Sequence, residues 1–185
     1  MADPVSRGAA RTATLVALPA ALVVGALVFW LLGGFGGGRG ASPTPTPQPS
    51  STVRVDSSPL DGDAATVCRG FIAQLPGKIR NLHRRPVSDG VEQNAAFGQP
   101  PLLVHCGGPA ASFPPTATVY GLAGVCFYAD RQAHRSVWTT VDRRVPVTVT
   151  VPGSYSSPGQ WVAEFSDSIA GSVRSADRIP TGCGA

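Results

Sequence analysis

Residues 13–35, ATLVALPAALVVGALVFWLLGGF, form an uncharged apolar run, and all four cysteines, Cys68, Cys106, Cys126 and Cys183, lie beyond it. As an α-helix the run rises about 34 Å against roughly 30 Å of bilayer hydrocarbon, so it has the length to cross a membrane. The sequence therefore predicts a transmembrane anchor over 12–35 and a separate domain after it. Arg7 and Arg11 precede the run and the next basic residue is Arg39, a bias that places residues 1–11 in the cytoplasm and the C-terminal part outside. A cleaved signal peptide starts in the same way, but its core spans only about 7–15 residues and ends at a small-residue site. The expectation is an uncleaved single-pass signal anchor in the plasma membrane. Pro19 is compatible with it, because neighbouring groups in a membrane helix satisfy the freed carbonyl.

Residues 36–59, GGGRGASPTPTPQPSSTVRVDSSP, alternate proline with small hydroxyl residues after a glycine stretch. Such a composition buries too little apolar surface to fold, so a disordered linker is expected. Extended as polyproline II it reaches up to ~70 Å, a spacer into a cell wall. Thr44, Thr46, Ser50, Ser51 and Thr52 are also of the type that carries O-linked sugar, with the plain spacer the simpler reading.

Residues 60–185 supply one small domain, near the size at which covalent staples matter. Outside the cytoplasm four cysteines form disulfides, and they can pair in three ways between which spacing alone does not choose. The preferred pairing is Cys68–Cys106 with Cys126–Cys183: the first closes a loop of about 39 residues, for which chain entropy gives roughly 4 kcal/mol, and the second pins the C-terminus. A metal site is the competing use, but only His105 beside Cys106 is a close pair, so no metal and no cofactor are expected.

Asp61 and Asp63 precede Ala64, Val67, Cys68, Phe71, Ile72 and Leu75 in a 3.6-residue rhythm that predicts a helix ending at Pro76-Gly77. Leu102 to Cys106, Val125 to Ala129 and Ser136 to Val141 read as strands. The clearest strand is Val145 to Val151, with Val145, Val147, Val149 and Val151 on one side and Thr148 and Thr150 on the other. Pro146 and Pro152 argue for an edge position. After the turn SSPG, Trp161, Phe165, Ile169 and Val173 recur every four residues, an amphipathic C-terminal helix. The predicted fold class is α+β, an antiparallel sheet flanked by two helices.

No constellation specifies a reaction. His83 lies in the charged stretch KIRNLHRR, His134 in ADRQAHRS, and His105 in a strand, each more simply structural than catalytic. There is no G-x-S-x-G elbow, phosphate-binding glycine loop or His-Glu-x-x-His. Asp130, Asp142, Glu164 and Asp167 are the carboxylates with scope to pair in space for glycoside hydrolysis, but nothing in the order of residues joins two of them. The remaining signal is arginine. Lys78, Arg80, Arg84 and Arg85 form one run and Arg143-Arg144 another, and Arg84, Arg85 and Arg143 are the candidate binding surface, since guanidinium forks suit phosphate and carboxylate. From Leu60 onward there are 11 basic and 9 acidic residues, a net of +2, which is an ordinary surface and not a nucleic-acid footprint.

Taken together the outer segments resemble the actinobacterial domain of unknown function 3515 family. The carrying pieces are Cys68 with the helix ending Leu75-Pro76, Arg84-Arg85-Pro86-Val87, Phe97-Gly98-Gln99-Pro100-Pro101, Cys106-Gly107, Gly124-Val125, Thr139-Thr140-Val141-Asp142-Arg143, and Val151-Pro152 before Tyr155. The resemblance implies a membrane-anchored or secreted envelope protein, pairs Cys68 with Cys106, and leaves Cys126 and Cys183 as an extra pair. It implies no activity. The chain departs from the family pattern at Phe97 and Phe127, where Trp is usual, and at Gln99 for Asp, His105 for Arg, Ala123 for Asn and Asp142 for Gly.

Three functional expectations follow. The first is a non-enzymatic cell-envelope protein whose outer domain binds a protein partner or an anionic wall polymer. The second is an extracytoplasmic enzyme acting on wall or glycolipid substrates, with His105, Asp142 or another carboxylate meeting a nucleophile in a cleft. The third is an accessory subunit of a membrane complex, in which Gly25, Ala17, Ala20 and Ala21 allow close helix packing.

Overall fold

The structure, a computed structural model, describes residues 22–28 and 50–183. The chain falls into two units, Met1–Thr46 and Pro47–Ala185. In the first, residues 22–28 are helical and exposed. The rest of the anchor expected over 12–35, with residues 1–11 and 36–49, lies outside the described residues. Among the described residues no helix is long and apolar enough to cross a membrane.

The second unit runs α1 (Gly62–Gln74), β1 (Lys78–Ile79), β2 (Leu82–Arg85), β3 (Asn94–Phe97), β4 (Leu102–Cys106), β5 (Val119–Leu122), β6 (Val125–Arg131), β7 (Arg135–Thr140), β8 (Val147–Pro152), α2 (Pro158–Ala163) and α3 (Ser166–Ser172). The eight strands form one sheet in the order β1-β2-β3-β4-β8-β7-β6-β5. Every neighbouring pair is antiparallel, so two four-stranded meanders meet along β4 and β8, with Val104 opposite Val149 and Cys106 opposite Val147. The connection 107–118 carries the chain from the middle of the sheet to its far edge.

The expected α+β class and antiparallel sheet are present, and one face of the sheet carries the helices. Val104 and Cys106 on β4, Val147, Val149 and Val151 on β8, and Phe127 on β6 join Cys68, Phe71, Val162, Phe165 and Ile169 from the helices in a single core. The strict alternation of β8 suits a strand with one covered face, its threonines looking the other way. Its position corrects the expectation of an edge. β8 is central, between β4 and β7, because Pro146 precedes the strand and Pro152 is its last residue, so neither removes a ladder bond from the interior.

The C-terminal helix also differs, being two short helices. At the break the Phe165 amide bonds Val162 O at 3.0 Å, an i to i−3 turn, and the ladder resumes with Ile169 N to Phe165 O at 2.9 Å. Phe165, Ile169 and Val173 nevertheless all reach the core, as the four-residue rhythm requires. The domain thus carries three helices where two were expected. Two disulfides join Cys68 to Cys106 and Cys126 to Cys183, fixing α1 to β4 and the C-terminal segment to β6.

Within the linker expected over 36–59, residues 51–58 lie along the domain. Val53 is buried and bridges Val87 in parallel, its amide donating to Pro86 O at 2.8 Å and its carbonyl accepting from Ser88 N at 2.9 Å. Asn94 Nδ2 donates to Asp56 O at 3.0 Å and Gln93 Nε2 to Ser58 O at 2.9 Å. The cause is local: Val53-Arg54-Val55 alternates like a strand, a signal diluted in the surrounding Pro/Ser/Thr composition.

Candidate functional site

The three arginines expected to present a binding surface are turned into the fold. Arg84 and Arg85 are consecutive on β2, so their side chains leave on opposite sides. Arg84 Nη1 donates to Ile72 O at 3.1 Å and Leu75 O at 3.4 Å, capping the open carbonyls at the end of α1, and burial lowers its pKa from the usual guanidinium value. Arg85 is buried. It donates to Ser51 O at 2.8 Å, Ser51 Oγ at 2.7 Å and Gly98 O at 2.9 Å, and also bonds Gln99 Oε1. Arg143 Nη2 donates to Gly124 O at 2.7 Å, and Nη1 donates to Ser175 Oγ at 3.2 Å and Val173 O at 3.3 Å. It also lies 3.5 Å from the buried carboxylate of Asp142. Each of the three braces separate segments of main chain.

The histidines and carboxylates scatter. His83 and His134 are exposed. His105 faces Asn94 across the β3–β4 pair, with Nδ1 and Oδ1 2.7 Å apart. Because Asn94 Nδ2 is committed to Asp56 O and Asp89 O, its Oδ1 must accept, which places the proton of the neutral imidazole on Nδ1 and leaves Nε2 an acceptor. Burial holds the His105 pKa below its usual value. Of the four carboxylates, Glu164 and Asp167 are brought to one groove, where Glu164 pairs with Arg80 at 2.6 Å. Among the described residues no three His, Cys, Asp or Glu side chains gather to hold a metal ion.

A candidate surface that was not singled out from the sequence lies at α2. Tyr120 and Leu122 on β5, Arg131 on β6 and Trp138 on β7 meet Ser157, Pro158, Gly159 and Gln160 around an open groove of about 450 Å³. Local geometry builds it. Ser157 turns the chain with φ 52° and ψ 61°, and Pro158 starts the helix where its missing N–H has no cost. Gly159 lies against Trp138, whose Nε1 donates to Ser136 Oγ at 2.9 Å and whose ring meets Tyr120 with centroids 5.3 Å apart. Trp138 is the floor, half-exposed Tyr120 the wall, and the Arg131 guanidinium lies 5.9 Å from the Tyr120 ring.

Gln160 also borders a second groove of about 310 Å³, formed with Arg80, Ala163, Glu164 and Asp167. There the Arg80 guanidinium stacks 4.6 Å over Trp161, and Tyr155 meets Trp161 edge-on at 5.1 Å while donating its hydroxyl to Pro100 O at 2.8 Å. Two grooves thus adjoin at Gln160, the first lined by Tyr120, Trp138 and Arg131, the second by Arg80, Glu164 and Asp167. Their residues come from five separate stretches of sequence, and only the density of aromatics after residue 120 hinted at them.

No curated protein and no solved structure matches the chain. A family model does match, over residues 16–177. With most of its length covered, from within the apolar run to beyond the eight-stranded sheet, the chain belongs to the family described as a protein of unknown function, DUF3515.

Proposed function

We propose that this is a single-pass cell-envelope protein whose extracytoplasmic domain binds a wall glycan, without catalysing a reaction, along the two grooves that meet at Gln160. The carrying observation is that junction: Tyr120 and Trp138 supply ring surface in the first groove, Gln160 borders both grooves, and the Arg131 guanidinium, 3.4 Å from the Tyr120 hydroxyl, lines the first groove as a cation for an acidic substituent. Ring faces with a few fixed polar groups suit an extended ligand of alternating apolar and hydroxylated surface. The apolar run at 13–35 and the two disulfides support the placement outside an anchoring membrane, in an oxidising compartment.

Co-sedimentation of the full chain with purified bacterial wall fragments tests the reading. Retention is expected for the unaltered chain and a loss of about tenfold in affinity, near 1.4 kcal/mol, for an Arg131→Gln, Gln160→Ala double variant. No retention of the unaltered chain, or equal retention of the variant, overturns it.

A further inference from the structure

A separate cleft of about 430 Å³ lies between the first turns of α1, the connection from β7 to β8, and the end of α3 with the residues that follow it, lined by Asp63, Thr66, Val67, Arg144, Ser172 and Arg174 among others. Its charges are exposed, and they differ in whether they are paired. Arg144 is already paired with Asp177 at 2.7 Å. The Asp63 carboxylate and the Arg174 guanidinium have no hydrogen-bond or ion-pair partner among the described residues, although they line the same cavity. Ser172, also in the lining, has a buried Oγ without a partner. Ala64, Val67, Val145 and Val173 supply the apolar part of the wall.

We propose that this cleft binds a small zwitterion, an amino acid with an aliphatic side chain. Its carboxylate pairs with the Arg174 fork, its ammonium with Asp63, and its side chain rests on the valines. A carboxylate fits a guanidinium in two parallel hydrogen bonds, whereas an ammonium is a compact donor that a single carboxylate satisfies. The volume lies within the range of small-molecule sites, and the mixture of an apolar wall with a few converging polar groups is their usual construction. The site is distinct from the grooves at Gln160, so its test is independent of the glycan reading.

Isothermal titration of the full chain in detergent with L-valine and D-valine, then with isovalerate and isobutylamine, decides the matter. One valine enantiomer is expected to bind at least about tenfold more tightly than either single-charge analogue. Asp63→Asn and Arg174→Gln, both at exposed positions and both checked for unchanged thermal unfolding, are each expected to lower that affinity by about tenfold. Failure of both enantiomers to bind at about 10 mM, isovalerate binding as tightly as valine, or indifference of valine to either substitution overturns the proposal.

Discussion

Arg85 shows how a charge can be structural at the centre of a basic run. Its guanidinium joins Ser51 to Gly98 and Gln99, two points that are remote in sequence. Removing it orphans the Gly98 carbonyl inside the fold, at a cost of about 1–3 kcal/mol, and releases the bonds that hold Ser51 at its edge. Arg85→Ala is expected to lower unfolding stability by about 2–4 kcal/mol, read by urea denaturation, and Arg85→Lys to recover only part of it, because an ammonium cannot span the same acceptors. Nothing in the string NLHRRP separates a guanidinium that meets solvent from one that meets carbonyls, which is why the run reads as a surface. His105 makes a prediction of opposite character. Burial favours its neutral form, so the unfolded chain binds more protons than the folded one in the interval below the usual histidine value of 6.5. Stability is then present above that value and declines as pH falls from it toward the lowered folded-state pKa. Chemical denaturation across that interval should show the decline, and His105→Gln should flatten it.

At the scale of elements, the disulfides and the 51–58 strap determine how firmly the domain is held. Cys68–Cys106 spans 38 residues of sequence, and its loss in a Cys68→Ala, Cys106→Ala double variant is expected to cost about 4 kcal/mol by chain entropy. Reduction of both bridges at neutral pH, followed by proteolysis, should expose a larger loss, since the Cys126–Cys183 constraint goes with it. The strap is held by Val53 burial and main-chain bonds to Pro86 and Ser88, so a chain beginning at residue 60 is expected to unfold at lower urea than one beginning at residue 47, by about 2–3 kcal/mol. Equal midpoints would show that the strap contributes nothing. The elements that were legible had a sustained period. Val145 to Val151 alternates for a whole strand, and Trp161, Phe165, Ile169 and Val173 keep a helical face even though an i to i−3 turn breaks the helix within it. Periodicity records which side is buried and is blind to that local bond. β1, β2, β3 and β5 went unread because they are two to four residues long, and β3, Asn94–Phe97, is buried throughout and so carries no alternation.

For the whole molecule, the sheet order places β5 and β1 at opposite edges, with β4 and β8 as the spine. That topology brings residues 120–138 beside 157–160, the juxtaposition on which the glycan groove depends. No local pattern encodes it, since the return from β4 to the far edge passes through an irregular connection of a dozen residues whose path only tertiary packing determines. Hydrogen exchange of the full chain, with and without a solubilised wall glycan, is the most direct measurement of the central claim. Slowed exchange confined to residues 119–122, 131–138 and 157–164 is the result expected. Protection elsewhere in the domain, or unchanged exchange at saturating glycan, would contradict it.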